Sequence, residues 1–169
     1  MISNGTECWI GGLSMVALTI AMHSIALVYI ALLLVSLRKR VVRSNLSDRS
    51  LVWFAVLVVA VAGAILAFLH AAEMAAWAIT YLSIGAMESW ADAVLYSIDS
   101  MTTRGASGLA VAEEWRLMGA LEAADGMLLF GISTAFLFAV LQQISPMLTG
   151  GDSTKGQGIE RRSTKTPSC

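Results

Sequence analysis

Charge is what this chain has least of. Only 14% of its 169 residues are Asp, Glu, Lys or Arg, where a soluble domain averages about a quarter. The complementary excess, 57% apolar residues, asks for a non-aqueous home. Cysteine is nearly missing as well. Cys8 and Cys169 stand at opposite ends, which excludes a disulfide framework and a cysteine metal site. A net charge of −1 offers no basic surface, so no nucleic-acid partner is expected. There is no nucleotide-binding loop, no nucleophile–base arrangement and no ligand-spaced metal cluster. Enzyme activity, a cofactor and a bound metal are therefore not expected. The opening MISNGTECWIGG has neither a basic n-region nor a small-residue cleavage pattern, so the first apolar run reads as a retained helix.

What is present is a set of long uncharged runs. Residues 9–37 and 50–69 carry no acid or base, and neither do residues 126–151, apolar as far as Val140. Each can cross roughly 30 Å of hydrocarbon, which takes about 20 helical residues. The bases are clustered. Arg38, Lys39, Arg40, Arg43 and Arg49 follow the first run, and Lys155, Arg161, Arg162 and Lys165 lie in the tail, leaving only Arg104 and Arg116 elsewhere. Both clusters should face the cytoplasm. An outside N-terminus and an inside C-terminus need an odd number of crossings, so three helices span. The expectation is a multi-pass protein of the cell's inner (plasma) membrane, with the weak Asn4-Gly5-Thr6 sequon outside.

Along the chain, a first helix over about 9–37 ends at Arg38–Arg40, and a polar loop (Val41 to Arg49) supplies the cap-type residues Asn45, Ser47 and Asp48. The stretch from Leu51 to Met87 would be about 55 Å long as one helix, so it must tilt, break near Gly85 or project from the bilayer. Trp77 and Tyr81 fit an interfacial aromatic belt. Ser89 to Thr102 is amphipathic but too short to cross, and small residues with two glycines follow it. A short helix, a glycine-containing turn and a spanning helix read together as a re-entrant loop. Irregular backbone at membrane depth survives only where protein buries it or a water-filled cavity borders it. The plain alternative is an exposed outer loop. The chain thus divides into an N-terminal helix and loop (1–50), a central module (51–148) and a tail (149–169) too polar and aperiodic to fold.

Residues about 66–143 resemble the two-transmembrane pore module of bacterial potassium channels, the ion-channel pore-loop family. The resemblance rests on His70-Ala71-Ala72-Glu73 leading to Trp77-Ala78 and Tyr81, and on Asp92-Ala93-Val94-Leu95-Tyr96-Ser97 before a Thr102-Thr103-x-Gly105 core. It continues in Trp115-Arg116-Leu117, Leu121-Glu122-Ala123, Leu128-Leu129-Phe130-Gly131 and Ser133-Thr134-Ala135. It implies an all-α membrane protein: three transmembrane helices, a re-entrant pore helix and a filter loop, four copies forming one pore. The implied partners are the chain itself as a homotetramer, the lipid bilayer and permeant inorganic ions. On this scheme the first helix packs outside the outer helix of the pore module.

The filter window implied by the resemblance is Thr102, Thr103, Arg104, Gly105, Ala106, Ser107 and Gly108. It departs from the family's Thr-Val-Gly-Tyr-Gly. Arg104 takes an apolar position, Ala106 an aromatic one and Ser107 a glycine one, so potassium selectivity does not carry over. Arg104 needs a partner at membrane depth. Asp99, on the last turn of the pore helix, is one candidate, and Glu122 and Asp125, at i, i+3 on the inner helix, are others. Two readings stand beside each other: a strut behind the filter, or a ring of Arg104 side chains in the ion path that favours anions. The function read from all this is a tetrameric channel for monovalent ions. The alternatives are an anion-permeable or non-selective pore set by Arg104, and a non-conducting membrane scaffold. His70 and Glu73 share a helical face and suit a structural hydrogen bond, a pH sensor or a metal ligand pair. His23, a lone polar residue in the first helix, suits an interhelical hydrogen bond. Gly126 and Gly131 suit a gate or a helix contact, and Ser133 and Thr134 an inner cavity.

Overall fold

The computed structural model describes residues 2–43, 48–105 and 108–149, with side chains described over 8–41, 49–105 and 108–145. The loop at 44–47, with its cap residues Asn45 and Ser47, the filter residues Ala106 and Ser107, and the tail 150–169 lie outside the described residues. Every α-helix among the described residues is given by four spans: α1 (Ile2–Arg43), α2 (Asp48–Ser83), α3 (Trp90–Met101) and α4 (Arg116–Thr149). A single 3-10 turn, Glu113–Trp115, leads into α4. Three stretches are long and apolar enough to cross a membrane: Cys8–Val41, Arg49–Ser83 and Glu113–Ser145. Helix α1 runs well past the expected 9–37 at both ends, because charged and polar residues outside the hydrocarbon do not by themselves stop a helix.

Helix α2 stops where the sequence suggested it would break. Gly85 takes φ +70°. The amide of Ala86 donates to the Tyr81 carbonyl at 2.9 Å and that of Gly85 to Leu82 at 3.1 Å, the paired bonds of a Schellman C-cap. After the turn, Ser89 caps α3 with its side chain accepting from the Asp92 amide, and Asp92 sits in the first turn, where the helix dipole favours an acid. Helix α3 ends on the same C-cap pattern. Thr103 donates to the Ser100 carbonyl and Arg104 to that of Asp99, both at 3.0 Å. Here the left-handed position is Thr103 at φ +54°, a β-branched residue where glycine is usual.

The packing is inverted relative to a water-soluble protein. Leu18, Ile25, Leu32, Trp53, Leu57, Phe68 and Phe138 are exposed. Thr19, His23, His70, Glu73, Ser97, Asp99, Glu122, Asp125 and Ser133 are buried. In hydrocarbon that arrangement is the stable one, since a polar group there needs a protein partner. Helix α1 packs chiefly along α4 and only lightly on α2, while α3 is wedged against both α2 and α4. So α1 does not lie outside the outer helix as expected. Its polar residues bond to α4, Thr19 to Asp125 and His23 to Ser133, and Leu121 packs against Gly12. Around α3 the core is Trp77, Tyr81, Tyr96, Met101, Met118 and Leu129. Trp77 and Tyr81 are fully buried and form no interfacial belt. Their polar tips are needed inside.

Candidate functional site

Two regions carry chemistry. The first is the end of α3. Burial of Ala93, Tyr96, Ser97, Asp99 and Met101 turns one face of α3 into the core, and Thr102, Thr103, Arg104 and Gly105 emerge exposed from its end. Gly126 of α4 makes this seat possible. A Cβ there would fall on the backbone of Met101, so the α3 terminus touches α4 main chain to main chain. Arg104 folds back on α3. Its Nε donates to Asp99 Oδ1 at 2.7 Å, and a terminal guanidinium nitrogen reaches the same oxygen. The Asp99 carboxylate is wholly buried, while the Arg104 side chain is 61% exposed. Beyond the break, Gly105 at φ +81° and Gly108 at φ +84° hold backbone shapes that suit glycine.

The second region is a column of buried polar groups between α1, α2 and α4. Nearest α3, Glu122 accepts from Tyr81 Oη at 2.7 Å and from the Ser97 hydroxyl, which is also 2.9 Å from the Met74 carbonyl. In the middle, Asp125 Oδ2 accepts from Thr19 Oγ1 at 2.6 Å and Trp77 Nε1 at 3.2 Å. Deepest is a closed ring. Glu73 Oε1 lies 2.8 Å from His23 Nδ1 and Oε2 lies 3.0 Å from His70 Nδ1. The Nε2 atoms of both histidines lie 3.0 Å from one hydroxyl, Ser133 Oγ. Phe130 stacks on the His70 ring at 4.1 Å.

Among the sequence-read residues, Asp99 meets Arg104, and Glu122 and Asp125 are held by hydroxyl and indole donors. His70 and Glu73 do pair, within a four-member ring. Ser133 closes that ring and is buried, while Thr134 is exposed and bonds back to the Phe130 carbonyl at 2.9 Å. Gly126 is a helix contact, and Gly131 faces open space. The interhelical hydrogen bond expected of His23 is present, to Glu73 on α2 and Ser133 on α4, while reasoning from sequence missed the roles of Thr19, Tyr81 and Ser97. It also missed a three-residue cluster fit for a metal, His23, His70 and Glu73. Position 23 is 50 residues from position 73, so no spacing rule joins them. The usable signal was the rarity of polar residues in otherwise apolar helices, since each such residue needs a partner from another helix. No protein-family model, no curated protein and no solved structure matches the chain.

Proposed function

We propose that the chain is one subunit of a tetrameric pore-forming channel, with α3 as a re-entrant pore helix and residues 102–108 as its share of the ion path. One observation carries the reading. A helix of 12 residues, too short to cross, is seated between two helices long enough to span, and left-handed backbone at Thr103, Gly105 and Gly108 follows it. Irregular backbone of that kind is stable at membrane depth where it borders protein or water. A single such loop per chain supplies one quarter of a closed ring, which asks for rotational symmetry. The chain sits in the inner membrane with its N-terminus outside, as the basic clusters direct.

The pairing of Arg104 with buried Asp99 favours the strut over the charged ring: the guanidinium replaces the missing aromatic brace, and its charge is met within the subunit. The ion path is then lined by backbone, and monovalent cations are the substrate class. Reconstitution into liposomes with a KCl gradient tests this. Expected are a conductance that scales with protein and a reversal potential on the cation side. A reversal potential on the anion side, moved toward cations by Arg104→Ala, would put the charged ring ahead. Absence of any conductance from a verified tetramer would leave the scaffold reading.

A further inference from the structure

The ring of His23, Glu73, His70 and Ser133 has no part in the pore reading, and its hydrogens do not add up. As a carboxylate, Glu73 accepts at both oxygens, so each imidazole presents Nδ1–H to it. Two neutral rings then turn two Nε2 lone pairs toward Ser133, whose hydroxyl has one hydrogen to give. One of the two 3.0 Å contacts is left without a hydrogen. Charge is also unbalanced. Asp125 is held by Thr19 and Trp77, each one helical turn from a ring member, His23 on α1 and Glu73 on α2. Its Oδ1 is buried and has no hydrogen-bond partner among the described residues. Glu73 and Asp125 bring two acids, and no Lys or Arg is buried among the described residues.

We propose that His23, His70 and Glu73 form a buried site for one divalent transition-metal ion of the zinc class. Their ligand atoms all lie within 4.8 Å of one another. The two Nδ1 atoms face the two oxygens of Glu73 at 2.8 and 3.0 Å. Ligands bonded to tetrahedral zinc at about 2.0–2.1 Å stand roughly 3.4 Å apart, so both nitrogen–oxygen distances lie within about 0.6 Å of that separation. The ion takes the place of both Nδ1 hydrogens. Each imidazole then carries its hydrogen on Nε2, and both donate to Ser133 Oγ, which has two lone pairs to receive them. Every ring nitrogen is satisfied, and Ser133 becomes the outer partner that orients both ligands. Two positive charges offset Glu73 and Asp125. Imidazole with carboxylate selects zinc, cobalt or nickel over magnesium and calcium, which prefer all-oxygen shells. Because the site joins α1 to α2 and, through Ser133, to α4, the ion enters as the bundle assembles.

The proposal is independent of the pore reading, and its test reads no conductance. The full chain is purified in mild detergent without chelator, and its metal is measured by elemental analysis. Apo protein is then titrated with Co2+ and followed by visible absorption. Expected are about one metal per chain and the intense bands of a four-coordinate nitrogen–oxygen site, the fourth position taken by water or the second Glu73 oxygen. Ser133→Ala should weaken metal affinity 10–100-fold, the usual effect of losing an outer partner. Glu73→Gln should abolish the bands. If Glu73→Gln fails to fold, the wild-type Co2+ spectrum and Ser133→Ala still decide. Less than a tenth of a metal per chain after exposure to Zn2+, with a thermal midpoint unmoved by Zn2+ or chelator, would overturn the proposal and leave the ring closed by an extra proton.

Discussion

The contact between Asp99 and Arg104 makes an asymmetric prediction. Both Nε and a terminal nitrogen of Arg104 converge on a single oxygen, Asp99 Oδ1. These are charge-assisted contacts, the stronger class of hydrogen bond. Hydrogen bonds to charged groups contribute about 1.5–3 kcal/mol. With the guanidinium 61% exposed, screening by water pulls the coupling to about 1–2 kcal/mol. The single substitutions should differ. Asp99→Ala frees an arginine that already reaches solvent, and costs about 1–2 kcal/mol. Arg104→Val removes the cation facing a carboxylate with no exposure of its own, and costs about 2–4 kcal/mol, toward the lower end of the range for breaking a buried pair. The double substitution should cost at least 1 kcal/mol less than the sum of the singles. Reversible unfolding in mixed micelles with rising SDS, followed by tryptophan fluorescence, measures all four proteins. Additive costs, or Asp99→Ala costing more than Arg104→Val, would refute the strut.

Further outcomes follow from the same geometry. Gly126→Ala drives a methyl group into Met101 main chain and should cost about 1–3 kcal/mol in that assay. Gly131→Ala, with open space around it, should be neutral or gain up to about 1 kcal/mol from helix propensity. Thr103→Gly relieves a β-branched residue at φ +54° and should raise the unfolding midpoint by the equivalent of about 1 kcal/mol. Tyr81→Phe removes a 2.7 Å donor from buried Glu122 and should cost about 1–3 kcal/mol. In a background without native cysteines, a cysteine at position 45 should react with an impermeant thiol reagent only from the cytoplasmic side, and one at position 88 only from outside.

The helices were legible because hydrocarbon imposes a length and excludes charge, and those two rules are written directly in composition. The short helix was legible for a related reason: Ser89 to Thr102 is too brief to cross and too amphipathic to be loose. What sequence reasoning could not supply was lateral order. Trp77 and Tyr81 satisfy a rule for interfacial aromatics equally well on either side of a helix, and only the presence of Asp125 and Glu122 across the bundle decides that they turn inward. Helix α1 was harder still. Its apolar stretch carries Ser14, Thr19, His23, Ser24 and Ser36, and nothing local says that Thr19 and His23, one turn apart, are the two that turn inward. They face both helices, because each acid in the column draws donors from more than one neighbour.

That column has a consequence for how the chain is made. Helices leave the ribosome in order, so the earlier ones are available before the last is complete. The spanning stretch of α1, Cys8–Val41, inserts with no acid, and its hydroxyls at Ser14, Thr19 and Ser36 bond back to its own carbonyls. Helix α2 carries an acid, Glu73, but brings its own partner, His70, one turn away on the same helix. Helix α4 arrives last with Glu122 and Asp125, and every side-chain donor that bonds them belongs to earlier segments: Thr19, Trp77, Tyr81 and Ser97. An aspartate at a helix centre adds about 2.5–3.5 kcal/mol to insertion at the translocon, an upper bound for Asp125 in the first third of α4. The last helix therefore inserts against a template already in place, and truncations that remove α1 or α3 should leave α4 stalled at the membrane surface.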